Sequence, residues 1–338
     1  MSAGTIDSVT RPLVLEVCAG GGGQAFGLEE AGFEHAAAVE IDEAACATLR
    51  MNRPAWNVIE RDLRDVDASD FKGVDLFAGG VPCPPFSVAG KQLGPNDERD
   101  LFPAALAMIR KIKPRAVLLE NVPGFASAKF TEYRNDVLAQ LVRMGFVPDW
   151  RVLNACDFGV PQLRPRFILV ALRPEFAENF AWPKPLGTVP TVGDALADLM
   201  AVHGWRGSDV WVSKAKGIGP TVVGGSKKHG GPDLGPTRAR EGWAALSVDG
   251  TGIANDAPWR DFPVEQSPKL TLRMVARVQG FKDDWIFSGR KTAAYRQIGN
   301  AFPPPVAEAV GRAVRLALQG AKQVQPSTRR PFQLALPR

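Results

Sequence analysis

LVLEVCAGGGGQAFGLEEAG, residues Leu13–Gly32, is the stretch that decides the fold. Its first part, Leu13–Cys18, is continuously apolar and β-rich, as a strand buried on both faces would be. Glycines follow, and then a short helical pattern closed by Gly32. Glycines in such a turn let a ligand approach the backbone, and the start of a helix offers unpaired N–H groups. Read as Gly20-x-Gly22-x-x-Ala25, the turn fits the dinucleotide fingerprint, with the acid Glu40 about twenty residues on. A carboxylate there can accept hydrogen bonds from both ribose hydroxyls. The pattern predicts an adenosine-type ligand and leaves NAD and S-adenosylmethionine both open.

Working outward, strand and helix signals alternate. His35–Ile41 reads as a second strand and Asp42–Asn52 as a helix with acids in its first turn. Val74–Gly80 is another strand, and Asp100 can cap the helix that ends at Lys113-Pro114. Ala116–Val122 is a further buried strand, and a helix opens at Thr131. DWRVLNA and FILVALR close the series. This alternation predicts an α/β, doubly wound, mainly parallel sheet with ligands at the carboxyl ends of its strands. Residues 11–190 would form the first part of this domain. Residues 191–266, rich in Gly, Pro and Trp, read as a small loop-built insert. Residues 267–320 return to the first domain, with a clear helix over Pro303–Gly320. Residues 321–338 read as a flexible basic tail.

The bulk composition narrows the class. With 338 residues, 45% apolar and 23% charged, the chain is long enough to bury a core of ordinary globular kind. Its apolar runs are strand-sized, and its start lacks a basic region followed by an apolar one, so no membrane span or secretory signal is expected. The four cysteines, Cys18, Cys46, Cys83 and Cys156, are widely spaced. A disulfide framework or metal site is not expected, and a reducing cytoplasm is. The net charge is +5, and residues 203–240 alone carry seven Lys or Arg against two acids. That segment equals the excess of the whole chain, which points to an anionic partner.

Three short stretches carry chemistry. GGVPCPPFS (Gly79–Ser87) follows a strand and sets Cys83 between prolines that fix the backbone around the sulfur. ENV (Glu120–Val122) leaves a carboxylate at a strand end, and QLRPR (Gln162–Arg166) puts two arginines before a strand. Singly, each has a bland reading: a buried thiol, a solvated acid, surface charge. Together, in this order, with the glycine loop and YRQIGNAFPPP (Tyr295–Pro305), they resemble the cytosine-C5 DNA methyltransferases over roughly residues 12 to 318.

The resemblance implies the fold of the class I S-adenosylmethionine-dependent methyltransferases, with the insert as target-recognition domain. It implies a site-specific enzyme that moves a methyl group from S-adenosylmethionine to C5 of a cytosine flipped out of duplex DNA. Cytosine C5 is a poor nucleophile, and a thiolate adding at C6 makes the ring enamine-like. Cys83 would supply that thiolate, Glu120 would hold the N3 edge, and Arg166, with Arg164 nearby, the O2 side. The methionine part would lie on Cys18, Ala19, Gly20, Gly22 and Gly23, the ribose on Glu40, and the adenine near Ile41 and Asp62. Pro82, Leu101 and Asn300 would complete that pocket, so helix 303–320 should pack back beside the first strand. Relatives often carry aromatic residues where Cys18 and Ile41 stand. Lys227, Lys228, Arg238 and Arg240 in the insert would contact DNA. Residues 82–100 would close over DNA as a mobile loop. The implied setting is a monomer at the bacterial nucleoid that protects DNA from a cognate restriction enzyme, a genetic rather than physical partner.

Other readings explain less. The tRNA methyltransferases of this fold carry a Cys-Phe-Thr tripeptide, which this sequence lacks. An NAD-dependent oxidoreductase leaves PCPPFS, ENV and QLRPR without a role. A catalytically silent DNA-binding module would not need Cys83, Glu120 and Arg166 together.

Overall fold

The computed structural model describes residues 11–83, 100–224 and 232–320. The first half runs β1 (Leu13–Val17), α1 (Gly23–Glu30), β2 (Glu34–Glu40), α2 (Glu43–Asn52), β3 (Val58–Glu60), β4 (Leu76–Gly79), α3 (Phe102–Ile112), β5 (Ala116–Asn121) and α4 (Thr131–Arg143). It continues through β6 (Val147–Asn154), β7 (Pro165–Leu172) and the short α5 (Pro174–Ala177). The insert holds α6 (Val192–Ala201), α7 (Ser208–Lys214) and α8 (Thr237–Ala244). The chain returns in α9 (Leu272–Val278), α10 (Lys291–Asn300) and α11 (Pro304–Leu318).

The sheet has seven strands in the order β3-β2-β1-β4-β5-β7-β6. The first five pair in parallel, and β7 runs antiparallel to both β5 and β6. The mainly parallel reading holds, with one qualification that matters for the site. An antiparallel β7 begins, rather than ends, at the carboxyl edge of its neighbours. Asn121 therefore pairs with Phe167, and the QLRPR stretch just before it lands beside ENV. β4 lies between β1 and β5, so the glycine loop, Gly80–Cys83 and Glu120 emerge side by side. Strand order reverses between β1 and β4, the kind of crevice where open α/β sheets bind ligands.

Both sheet faces are buried, which explains the unbroken apolar runs. Leu15, Val117, Leu119, Phe167 and Leu169 face a core shared with Leu106 and Ile109 of α3 and Leu138 of α4. Val14, Leu118, Ile168 and Val170 face the opposite core with Leu28 of α1 and Val310 and Val314 of α11. As the sequence predicts, α11 returns to the first βα unit. It packs on α1, where Gly27 meets the Pro304 carbonyl and Ala307. A side chain at Gly27 would have no space.

The insert is more helical than a loop-built segment. Its α6 carries Leu196, Leu199 and Met200 inward, and a Thr191–Asp194 capping box starts it. Helices α7 and α8 are short and leave little periodicity in the sequence. Trp205, Trp211 and Trp243 fill one cluster that continues into Phe26, Leu49, Phe281 and Trp285. The insert and the returning segment thus share apolar contacts with α1 and α2 beside the glycine loop.

Candidate active site

Two cavities open at the carboxyl edge of the sheet. The first, about 510 Å³, is lined from the ends of β1, β2 and β4 and from α10. Every residue the sequence assigned to the cofactor lines it except Gly22. Gly22 adopts φ +87°, and a Cβ there would lie 2.5 Å from the Trp285 ring, so this glycine serves the turn and not the wall. Cys18 is also left-handed, at φ 53°. Burial, helped by Glu40, pushes its thiol up to about 12, so it sits on the wall as a neutral, unreactive group.

Glu40 organises the edge of this cavity. Its Oε2 accepts from Gly20 N at 2.7 Å, and its Oε1 accepts from Ile41 N and Asp42 N, each at 2.8 Å. The carboxylate is thereby fixed against the glycine loop before any ligand arrives. Asp62 is gripped by Arg64, which holds its carboxyl down at about 2. Ile41 is 65% exposed, so no ring closes that end of the cavity. The sequence reading missed Glu16 and Gln24, which also line it. Glu16 Oε1 and Gln24 Nε2 are buried without a hydrogen-bond partner, although the opposite oxygen of Glu16 meets His35 at 3.3 Å. Unpaired polar atoms on a cavity wall are costly unless a ligand or water completes them.

The second cavity, about 450 Å³, gathers Gly80–Pro82, Glu120–Pro123, Pro165, Arg166, Thr221–Gly224, Gly299 and Asn300. The two share a wall formed by Gly80, Pro82, Glu120 and Asn300. Glu120 stands 2.9 Å from Arg166 Nε, but that N–H points off the line of contact and stays without an acceptor. Burial raises the Glu120 carboxyl above its ordinary value, with Arg166 and Arg164 opposing. A carboxyl in this setting can hold a proton and donate it to a hydrogen bond.

Cys83 follows Pro82 of this wall in the chain but lines neither cavity. Its thiol donates to Asn121 Oδ1 at 3.3 Å, while Asn121 Nδ2 donates to Val81 O at 2.8 Å. Burial, reinforced by Asp100 and Glu120, pushes the thiol up to about 11 despite the Asn121 contact. The resting cysteine is therefore protonated and turned toward Asn121. Tyr133 hydrogen-bonds Asp100 at 2.6 Å where the chain re-enters α3, and Leu101 N donates to Pro82 O at 3.2 Å. The proposed closing loop falls largely on residues 84–99, outside the described residues.

Arg164 occupies a different place from Arg166. It is 1% exposed and donates to three carbonyls: Val222 O at 2.5 Å, Gly299 O at 2.7 Å and Ala301 O at 2.9 Å. Its forked donors tie the β7 hairpin to the insert and to the end of α10. Two buried glutamines extend the staple. Gln162 Nε2 donates to Gln279 Oε1, Gln162 Oε1 accepts from Val222 N, and Gln279 Nε2 donates to Ala301 O, each at 2.7 Å. QLRPR announced Gln162 and Arg164, but not Gln279, and only the long-range partners give all three this task. Of the DNA-contact residues, Arg238 is exposed on α8 and Arg240 half-buried beside it, while Lys227 and Lys228 lie outside the described residues.

The fold and the paired cavities define an α/β protein with two adjoining cavities, a buried carboxyl on their common wall and a thiol one residue beyond that wall in the chain. Residues 13–315 match the C-5 cytosine-specific DNA methylase family, and the chain belongs to it as a DNA (cytosine-5-)-methyltransferase. It is 55% identical over 331 residues to the type II methyltransferase M.NaeI of Lentzea aerocolonigenes, covering 96% of this chain and 80% of that protein. It is 51% identical over 309 residues to M.NgoMIV of Neisseria gonorrhoeae, covering 90% and 97%. The fold is similar to that of a DNMT2 mutant from Spodoptera frugiperda, with a TM-score of 0.65 at 19% identity over 90% of this chain and 99% of that one. The family uses S-adenosylmethionine. No described helix is long and apolar enough to cross a membrane.

Proposed function

We propose that the first cavity takes S-adenosylmethionine and the second a cytosine turned out of duplex DNA, with Cys83 adding to the ring. The observation that carries this reading is the shared wall, where Glu120 faces both cavities beside the segment that bears the thiol. The residues present fit the donor. Glu40 is pre-fixed for the ribose, Asp62 lies at the adenine end, and the unpaired Glu16 Oε1 and Gln24 Nε2 suit the charged methionine end. When bound, this donor supplies an electrophilic methyl group.

The protein's own work is on the base. Cys83 leaves Asn121, passes its proton to solvent water and, as thiolate, forms a bond to C6. Glu120 in its acid form donates to N3, and Arg166, with an Nε–H already free of an acceptor, turns to O2. Electron density thus reaches C5, which takes the methyl group. Solvent water then takes the C5 proton, and the C–H electrons re-form the C5–C6 double bond as the S–C6 bond breaks. N3 returns its proton to Glu120, and the departing thiolate regains a proton from water. We place Arg164 as the staple that holds this pocket together. We read residues 11–190 and 267–320 as the catalytic part and 191–266 as the target-recognition part, with Arg238 and Arg240 toward DNA.

Duplex DNA containing 5-fluorocytosine at the target cannot lose its C5 substituent. With the methyl donor, the wild-type chain should form an adduct that survives denaturing electrophoresis. Cys83→Ser should form none and lose about 10⁴-fold or more in turnover. An adduct with the serine variant, or none with wild type, would overturn the assignment. M.NaeI and M.NgoMIV bear the type II name. We extend that role, protection of DNA from a restriction enzyme, to this chain. Methylation-sensitive sequencing of plasmid from expressing cells should reveal one fully modified short sequence, and scattered or absent modification would count against it.

A further inference from the structure

The cofactor cavity rests on a support that does not touch it. Trp285, in the loop between α9 and α10, is 5% exposed and does not line the cavity. Its indole N–H donates to the Gly21 carbonyl at 3.0 Å, across 264 residues of sequence. The ring fills the space beneath the left-handed Gly22, within 2.5 Å of where a Cβ would stand. It packs on Phe26 of α1 at 5.1 Å between ring centroids, and the Arg53 guanidinium lies 5.2 Å over it. A Cβ at Gly21 would lie 2.9 Å from the Gln297 side chain of α10. The glycine loop is therefore clamped between two parts of the returning chain.

The clamp is itself anchored. Asn52, at the end of α2, pairs with both backbone groups of Ile286: it donates to the carbonyl at 2.7 Å and accepts from the N–H at 2.8 Å. Thr48 Oγ1 donates to Gln297 Oε1 at 2.6 Å and accepts from Ser288 N at 2.8 Å. These contacts fix where the indole N–H points. By holding the Gly21 carbonyl behind the loop, Trp285 fixes the peptide plane between Gly21 and Gly22. Turning that plane over would swing an acceptor oxygen toward the Ala19 carbonyl and break the bond that Gly22 N–H donates to it at 3.1 Å.

We infer that Trp285 is a positioning residue for the methyl-donor site, acting through the Gly21–Gly22 peptide. The inference rests on the donor assignment made above. Trp285→Phe keeps a ring in the cluster and removes only the N–H. Loss of one neutral hydrogen bond predicts a rise of about fivefold in KM for S-adenosylmethionine and in Kd for S-adenosylhomocysteine, measured by titration calorimetry. The kcat and the KM for DNA should stay within about twofold, since the base pocket lies on the other side of the shared wall. The fluorescence change caused by S-adenosylhomocysteine should also shrink relative to wild type. Asn52→Ala, which leaves the aromatic cluster whole, should raise the same KM by a smaller factor. Should Trp285→Phe not fold, this second variant decides alone. Unchanged donor affinity in the folded variants would overturn the inference. Failure of the wild type to bind S-adenosylhomocysteine would instead remove the donor assignment beneath it.

Discussion

The two cavities are built in opposite ways. The cavity proposed for the methyl donor draws much of its wall from consecutive turns of the β1–β3 unit: Cys18–Gly21, Glu40–Asp42 and Asp62. The cavity proposed for the base is assembled from five separate places in the chain, between Gly80 and Asn300. Nothing local holds these five together. Sheet pairing brings Gly80–Pro82, Glu120–Pro123 and Pro165–Arg166 to one edge, and the buried polar staple of Gln162, Arg164 and Gln279 ties Val222 and the end of α10 to it. A site made of one supersecondary unit keeps its shape through backbone hydrogen bonds. A site made of remote pieces depends on a few buried side chains, each costly to lose.

That contrast can be broken by mutation. Glu120→Gln should lower kcat by about 10²–10³ while leaving donor binding nearly intact, because the amide cannot supply a proton to N3. Burial raises the Glu120 carboxyl, so its acid form persists to higher pH than in a free carboxyl. Activity should fall as pH rises through that shifted value, and a glutamine, which does not titrate, should abolish that limb of a kcat–pH profile. Loss of donor affinity in this variant would show that the two cavities are not separable.

Arg164→Ala should cost about 3–5 kcal/mol of stability in urea titration, since three buried carbonyls lose their donors. Arg164→Lys should restore only part of this, because an ammonium lacks the planar fork. A loss under about 1 kcal/mol would mean that apolar packing alone joins the insert to the sheet.

The thiol offers a finer test. With Cys83 pushed up to about 11, alkylation by iodoacetamide at pH 8 should be roughly a hundredfold slower than for a free cysteine and should climb toward pH 11. Prompt alkylation at pH 8 without DNA would place the resting sulfur away from Asn121. The smallest effect belongs to the surface. Arg238→Ala should weaken or relax target choice by about tenfold, with donor binding intact. Unchanged specificity and kinetics would remove that residue from the DNA interface.

Much of the donor side was legible in the sequence, because glycine turns, strand-end acids and helix starts are local patterns. Gly20 and Glu40 could be named from their spacing, Gly23 and Asp62 only through the resemblance, and all four line the cavity. Glu16 and Gln24 escaped notice because a polar residue inside an apolar strand or at a helix start carries no signal of where it points. In the insert, Trp205, Trp211 and Trp243 were visible as a composition, but helices as short as α7 and α8 give no durable period. The support from Trp285 was invisible, since nothing near residue 285 in the sequence refers to Gly21.

The sequence by itself determined the alternation of strand and helix, the glycine loop after β1, and the presence of a proline-held thiol and a strand-end carboxyl. Each follows from side-chain period and backbone restriction over a few residues. Only the tertiary structure decided that β7 runs antiparallel, which carries Arg166 to Glu120, and that Arg164 is a staple between distant carbonyls. Strand direction and buried hydrogen-bond partners are fixed by how the whole chain closes on itself, and no short stretch contains that information.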